Sequence, residues 1–598
     1  PTGYLEMLGD RLDRIAPETL VVSEKILGEH EEMPETFRYR GTTGYEVASS
    51  IDRVFVSPEG FETLDRAFAE TSGLQSGFAS VARGAKIRVI RDLFRGELNN
   101  FTRRFGALTS GDRHAKDLPL SALEESLVQF IASLTVYRTY IRENEIQERD
   151  REILDRAVSD AKGLTDEESV RGGLDFLHRV LRLDTDDESQ RREWLRFVMR
   201  FQQFTGPVTA KGMEDTALYV YTPLTSLNEV GSEPVLPPDP VAELHELNLR
   251  RLSITPRTLS ATSTHDTKRG EDTRCRIDVL SEVPGEWLRN FSAWTSRYAS
   301  IDTGQGSAPS DAEKWFLLQS VIGTWPTSDD ERESFEGRIA EYVPKALREA
   351  KVHSHWTEIN ESWEQATIDW ITGVISDSTF QKEMTEMQKV VAFFGMINSL
   401  AMTILKIISP GIPDIYQGSE MWNLSLVDPD NRRPVDFTRR HEALAGIEES
   451  SGDDSRFDQL LSDLRESWKD GRIKLFTTWR SLAARRSDPE LFMSGDYIPL
   501  EVQGSHSSHV VAFARRTGGR WAVTVVPMLS VTLCDGAPTF PLGEKIWNDT
   551  AVILRDDAPA RWTSWMSGGT VESQDGRLLV SHALSQLPVA LLTSADQR

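Results

Sequence analysis

The chain has 598 residues, enough for about four domains at roughly 150 residues each, with 68 Lys and Arg against 93 Asp and Glu and a net charge of −25. The acid is spread along the chain, which excludes the concentrated cationic surface that a nucleic-acid binder needs. Apolar residues at 39% exclude a disordered polymer, and two distant cysteines, Cys275 and Cys534, exclude a disulfide framework or a structural zinc site and fit a reducing cytoplasm.

The chain opens Pro1-Thr2-Gly3-Tyr4 with no initiator Met and reads as the remainder of something longer. Thr19 to Ser23 is a short apolar, β-branched run ending in Glu24-Lys25, the pattern of a buried parallel strand that delivers a charged group at its C-terminal end. A second such segment surrounds Gly41 to Tyr45. From about Pro58 to Phe204 the texture is helical with charged outer faces: Ser121 to Glu124 has a capping-box pattern ahead of Leu127, Ile131 and Leu134, and Trp194, Phe197, Val198 and Phe201 form an apolar stripe. Thr205 to Glu233, dense in Gly, Pro, Thr and Tyr, predicts a long structured loop of the kind that carries function.

Leu259 to Thr264 is another strand-like run, and it ends in His265-Asp266. A second helical block, rich in Trp and Glu, runs from about Pro284 to Ser376. Val390 to Leu405 is the most apolar stretch, but Asn398, Ser399 and Thr403 interrupt it, so it predicts a buried helix and no membrane span. It leads into Ser409 to Tyr416. After Asp488 the pattern alternates with period two, and Thr517-Gly518-Gly519 joins two such runs as a hairpin, predicting a terminal β-sandwich.

Three strand-like segments thus end in polar groups: Glu24, His265-Asp266 and the loop from Tyr416 to Glu420. In a βα barrel the C-terminal strand ends converge on one pocket, and two carboxylates there suit acid/base work on a glycosidic bond. From spacing alone, Glu-Lys reads equally as a surface pair and His-Asp as a hydrogen-bonded loop pair.

Together, Val22 to Leu27, Gly41 to Tyr45, Gln203 to Pro207 continuing into Ala210 to Thr216, Ser263 to Arg269, Pro410 to Glu420 and Leu426 to Asp436 resemble the maltooligosyl trehalose synthase family of the alpha-amylase superfamily. The His265-Asp266 and Gly411 to Glu420 segments indicate only the superfamily; the Thr42-Thr43-Gly44-Tyr45 and Ala210 to Asp215 segments point to the synthases. The resemblance implies an α/β fold: the second half of a (β/α)8 barrel, strands 5 to 8, with large α-helical insertions and a C-terminal antiparallel β-sandwich. On that reading residues 1–57 hold barrel strands 5 and 6, 58–204 a helical insertion, and 205–283 a substrate loop and strand 7. Residues 284–376 form a second insertion, 377–487 strand 8 and the helices after it, and 488–598 the β-sandwich.

It also implies an isomerase, a (1→4)-α-D-glucan 1-α-D-glucosylmutase, which turns the reducing-end α-1,4 link of a maltooligosaccharide into an α,α-1,1 link by a retaining double displacement, with no cofactor. Glu24 takes the place of the general acid/base, Asp266 of the carboxylate that grips the sugar hydroxyls, and His265 of its neighbouring donor. Lys211, Glu214, Asp215 and Tyr45 fall where the released glucose turns over, although a structural role fits them as well. Tyr416, Asp430 and Arg432 are candidate substrate contacts, while Asp428, Asp430, Arg432 and Arg433 also suit a framing loop. The Asp-rich run lacks the Gly and terminal Glu of an EF-hand, so no metal site is expected.

The superfamily nucleophile, an Asp in an Arg-x-Asp segment at the end of the fourth barrel strand, and the Asp with Asn-His group after the third strand have no counterpart in this sequence, and Glu46 stands where many relatives have Asp. In the family, Asp-Pro-x-Gly-Tyr-Leu follows the nucleophile, and this chain opens at Pro1-Thr2-Gly3-Tyr4-Leu5, just past it. Half a barrel exposes strand edges and an apolar inner face, so an N-terminal fragment of the same protein, carrying the nucleophile, is the expected partner beside the maltooligosaccharide. An α-glucan hydrolase with a wetter pocket and a non-catalytic glucan-binding scaffold are the alternatives.

Overall fold

The computed structural model describes residues 2–28, 31–35, 37–39, 41–142 and 146–594. Four short parallel segments organise it. β1 (Val22–Ser23) pairs in parallel with β2 (Gly41–Thr42), and β3 (Leu259–Ser260) pairs in parallel with a segment that arrives much later, at Ile412–Pro413. Side chains tie the two pairs together: the Thr42 amide donates to Thr258 Oγ1 at 2.9 Å, and that hydroxyl donates back to the Thr42 carbonyl at 3.3 Å. Parallel neighbours cannot be joined by tight turns, so each needs a long crossover. Here the crossovers between β2 and β3 and between β3 and Ile412–Pro413 hold most of the helices.

The first crossover includes, among the described residues, a run of seven α-helices from Pro58–Ser72 to Glu188–Thr209, with Tyr45–Val54 before it and Leu218–Val220 and Pro240–Ile254 after it. The apolar stripe of Glu188–Thr209 supplies Phe197, stacked on Phe105 and Phe201, and Phe201, tilted against Phe130, in a second, separate core. Two local expectations fail here. The helix predicted to be capped by Ser121 starts at Leu120 with Pro119 at its N-cap and no side-chain cap, so Ser121 lies in the first turn. Residues 205–220 are not loop: the helix runs to Thr209 through Gly206 and Pro207, continues as a π-helical turn over Ala210–Ala217, and ends at Leu218–Val220. Phe201, Phe204 and Val208 carry the stripe across Gly-Pro and are all buried, which outweighs the cost of about 3 kcal/mol for an interior proline. The extended stretch begins only at Tyr221.

The second crossover holds the helices Pro284–Arg297, Asp311–Thr324, Asp329–Ala350, Glu361–Ser376 and Ser378–Ile408, with a small hairpin of β4 (Ile301–Asp302) and β5 (Ser307–Ala308). Ser378–Ile408 is long and apolar enough to cross a membrane by length and composition, and its apolar window is wholly buried in the protein, as a core helix. Asp377 caps it through the amides of Thr379 and Phe380. β6 (Ile412–Pro413) follows at once.

β7 (Asp496–Pro499), β8 (Val502–Gln503), β9 (Val510–Thr517), β10 (Arg520–Pro527), β11 (Ala551–Ile553), β12 (Arg561–Ser564), β13 (Thr570–Glu572), β14 (Arg577–Leu579) and β15 (Ala590–Ser594) form two antiparallel sheets. Their orders are β13-β12-β15-β10-β9-β7 and β14-β11-β8. The predicted hairpin pairs Thr517 with Arg520 across Gly518-Gly519. Buried Arg515 donates to the carbonyls of Ile408 and Gly495, tying this region to the end of the core helix.

Candidate active site

The segments that follow β1, β2, β3 and β6 carry Glu24, Tyr45, His265 with Asp266, and Tyr416. After β1, Lys25 turns inward: its ammonium pairs with Glu31 at 2.6 Å, Glu31 is also held by Arg149 at 2.6 Å, and the Tyr140 ring lies 5.3 Å away. Burial pushes the Lys25 pKa down against the pull of Glu31. Adjacent side chains on an extended segment point to opposite sides, so Glu24 is exposed, and it makes no hydrogen bond or ion pair among the described residues.

After β2 the chain turns at Gly44, where φ is +90°, into the helix Tyr45–Val54. A Cβ at Gly44 would overlap the Leu259 carbonyl, so only glycine lets this turn lie against β3. Tyr45 is buried with its hydroxyl 3.1 Å from Thr264 Oγ1. Burial pushes its pKa up to about 12, with the Asp266, Glu229 and Glu214 carboxylates adding to the shift. Ile26 and Tyr45 both face Gly231, where a Cβ would lie 2.8 Å from Ile26 Cγ2 and 3.4 Å from Tyr45 Cβ, so the segment after Glu24 and the start of this helix share one neighbourhood.

β3 runs into a loop with its own hydrogen bonds. The Asp266 amide donates to Thr264 Oγ1 at 3.1 Å, and Thr267 Oγ1 donates to the Thr264 carbonyl at 2.9 Å. Below it, the buried Glu229 carboxylate accepts from the amides of Lys268 and Arg269 and pairs with Arg274 at 3.2 Å. His265 and Asp266 are left about half exposed, with His265 Nε2 3.3 Å from one Asp266 oxygen and Arg432 Nη2 3.9 Å from the other.

Beyond β6, the Tyr416 hydroxyl donates to the Asn431 carbonyl at 3.1 Å, so it is engaged with the loop. Asp430 is nearly buried; Arg338 grips it at 2.8 and 2.9 Å, and it also pairs with Arg433 and accepts the Leu426 amide at 2.8 Å. These contacts tie Asp430 to its own loop and to Arg338. Lys345 pairs with Asp428 in the same way. Arg432 keeps half its side chain in solvent beside Asp266. A cleft of about 440 Å³ opens alongside, lined by Gln417, Trp422, Asp430, Asn431 and Arg433 among others.

Lys211, Glu214 and Asp215 lie in the π-helical turn, where Asp215 departs from helical dihedrals. Lys211 pairs with Asp215 at 2.5 Å, and Lys268 approaches Asp215 at 3.8 Å from the loop that carries Asp266. Lys351 donates to the Asp215 carbonyl at 2.5 Å and to Thr216 at 2.9 Å. Burial would raise Asp215, but Lys268, Lys211 and Lys351 together hold it below the usual carboxylate range. Burial pushes the Glu214 carboxyl up despite the hydrogen bond it accepts from Tyr137.

Tyr45, His265, Asp266, Tyr416 and Arg432 therefore form one connected region, with the Lys211 to Asp215 turn joined to it through Lys268. Sequence reasoning missed Glu229, Lys268, Arg338 and Asn431. Glu229 lay within the loop marked as functional and Asn431 within the Asp-rich run, but nothing local distinguished either. Among the described residues no group of three or more His, Cys, Asp or Glu side chains could hold a metal ion.

No family model matches the sequence. Proteins from two strains of Mycobacterium tuberculosis, named as maltooligosyl trehalose synthases, are 30% identical over 593 residues, covering 99% of this chain and 67% of theirs. The solved maltooligosyltrehalose synthase of Arthrobacter ramosus superposes with a TM-score of 0.80 at 30% identity, over 99% of this chain and 68% of its own. A solved glycosyltrehalose synthase is similar at 25% identity and a TM-score of 0.72, covering 99% of this chain and 66% of that one.

Proposed function

The chain belongs to the maltooligosyl trehalose synthase family, and from that premise we propose that it performs the intramolecular transglucosylation that makes maltooligosyl trehalose. The likeness over 99% of the chain carries this reading. A maltooligosaccharide binds with its reducing-end glucose beyond the cleavage point. A nucleophilic carboxylate attacks the anomeric carbon of the next sugar, while Glu24 gives its proton to the departing O4 of the terminal glucose, leaving a covalent glycosyl-enzyme. The freed glucose stays and turns. Glu24 then takes the proton from its anomeric hydroxyl, which attacks the glycosyl carbon, releases the carboxylate and closes the α,α-1,1 link. Net, one glycosidic bond replaces another and no water is consumed.

The site supports these roles by access and charge. Glu24 is exposed and free of partners among the described residues, as a group that must meet a sugar oxygen requires. Asp266 and His265 present their polar ends from a braced loop, with Arg432 beside them, and Tyr45 lies next to Thr264. Lys211 and Asp215 are the sugar contacts we assign to the reducing-end side, with Glu214 anchored to Tyr137 behind them. Tyr416 lines the site from beyond β6. Holding the acceptor glucose in place makes its attack effectively unimolecular and favours it over water.

We read the four parallel segments, in the order β1-β2-β3-β6, as strands 5 to 8 of a (β/α)8 barrel. The nucleophile then comes from a further segment of the same protein seated against the open edges of β1 and β6. The half-buried outer strands and the length of the relatives, of which this chain spans about two thirds, support that reading. Two buried free thiols, Cys275 and Cys534, suit a reducing cytoplasm.

The test is to incubate the assembled enzyme with maltopentaose and follow reducing power and free glucose together. Loss of reducing ends with little glucose is expected. A rise in reducing ends would make the protein a hydrolase, and no change in either would leave a glucan-binding scaffold.

A further inference from the structure

Asn431 occupies the seam between the two loops that frame the candidate site. Its side chain is buried, and Nδ2 donates to the main-chain carbonyls of His265 at 3.1 Å and Thr267 at 3.4 Å, one on each side of Asp266. Only the amide nitrogen can face two carbonyl oxygens, so the assignment of the side-chain ends follows from the contacts. On the other side, the Asn431 carbonyl accepts the Tyr416 hydroxyl at 3.1 Å. The two sequence neighbours are committed as well: Asp430 to Arg338 on the helix Asp329–Ala350, and Arg432 toward Asp266 at 3.9 Å.

We propose that Asn431 is a positioning residue for the transglucosylation: it sets the loop of His265 and Asp266 in register with the loop of Tyr416 and Arg432. Glu229 holds the Asp266 loop from below through the amides of Lys268 and Arg269, and Asn431 holds it from the side through the carbonyls of His265 and Thr267. Neither group needs to touch sugar. Asp266 and Arg432 sit on separate loops far apart in sequence, so the groups that grip the substrate keep their spacing only while the seam is closed. A misplacement of about 1 Å at such groups costs roughly a hundredfold in rate.

The proposal rests on the reading of the site given above, and the test separates the two. Asn431→Ala removes both donors. Asn431→Asp keeps the shape, places an acceptor against the two carbonyls and adds charge beside Asp266. With maltopentaose, Asn431→Ala is expected to lower kcat by about ten- to a hundredfold with KM within about threefold of the parent. Asn431→Asp is expected to lose at least as much, because its carboxylate faces the two carbonyl oxygens that the amide donated to and leaves them without a donor. Backbone amides of residues 264–269 exchange hydrogen faster in both variants, a readout that needs no activity.

A parent that does not rearrange maltopentaose refutes the functional reading alone, and the exchange measurement still decides the role of Asn431 in the loop. Unchanged exchange over residues 264–269 overturns the proposal, as does an Asn431→Ala enzyme with parental kcat. A loss of activity that only keeps step with a loss of folded protein also overturns it.

Discussion

Gly44 offers a sharp test of how the backbone positions Asp266. At φ +90° it lies in the left-handed region, and an added Cβ would overlap the Leu259 carbonyl and sit 2.8 Å from the Ala261 nitrogen. Ordinary contact begins near 3.4 Å, so β3 or the helix Tyr45–Val54 must move by about 0.6 Å or more. The left-handed conformation itself costs a non-glycine residue roughly 1–2 kcal/mol. Gly73 provides the control: its φ is +70°, but nothing lies within 4 Å of the added atom. Gly73→Ala should therefore show the conformational cost alone, a small fall in thermal stability with kcat unchanged. Gly44→Ala should add a displacement of β3, which delivers Thr262 to Asp266, and lower kcat on maltopentaose by about ten- to a hundredfold. Steady-state kinetics and thermal melts on both variants give the comparison. Parental kcat in Gly44→Ala, or an equal loss in Gly73→Ala, would refute the claim that contact with β3 transmits the effect.

Glu24→Gln should lower the rearrangement rate by about a hundredfold to ten-thousandfold, with binding of maltopentaose by calorimetry little changed. The buried Lys474 ammonium lies 2.7 Å from Glu271 and 2.8 Å from Asp272, and Lys406 adds a contact of 3.1 Å to Glu271. Lys474→Met leaves two buried carboxylates one remaining cation and should destabilise the protein by about 3–5 kcal/mol, read as a lower melting temperature. The loss should be larger at pH 8 than at pH 5, where the orphaned carboxyl takes up a proton more readily. In the parent, Glu271 is held low against its burial by Lys406 and Lys474, so its contribution is present above pH 4.5 and is lost as the pH falls through its folded value. His245, half-buried with Nδ1 2.8 Å from the Tyr497 hydroxyl, has its pKa pushed down to about 4, chiefly by that burial. Its neutral form is the folded one, so its contribution is complete above pH 6.5 and is lost as the pH falls toward 4, at a cost of up to about 3 kcal/mol. Melting curves at pH 7 and pH 4.5 should diverge less for His245→Gln than for the parent.

The parts legible in the sequence are those whose signal is local. Alternation on either side of Thr517-Gly518-Gly519 produced the hairpin, because period-two burial is written into neighbouring residues. The apolar run after Lys389, interrupted only by Asn398, Ser399 and Thr403, marked a helix that is buried along that run. Short β-branched runs marked β1 and β3, with Glu24 directly after β1, whereas β3 ends at Ser260 and His265-Asp266 lie on the loop beyond it. A local signal can also mislead. Gly206-Pro207 and Gly212 argued for a loop, yet the helix passes through them, because burial of Phe204 and Val208 against a distant core outweighs what the backbone prefers.

Tertiary structure alone decided who holds whom. Arg338, 92 positions from Asp430, grips both its oxygens, a pairing that no residue near Asp430 in the chain announces. Glu229 meets the amides of Lys268 and Arg269 about 40 positions downstream, and Asn431 reaches back 166 positions to His265. Periodicity and strand ends depend on residues a few positions apart, so the sequence itself determined which segments became strands or helices and which charged groups their ends deliver. The partner of a buried carboxylate or amide depends on which helix is laid against which loop, and that follows from packing the whole chain.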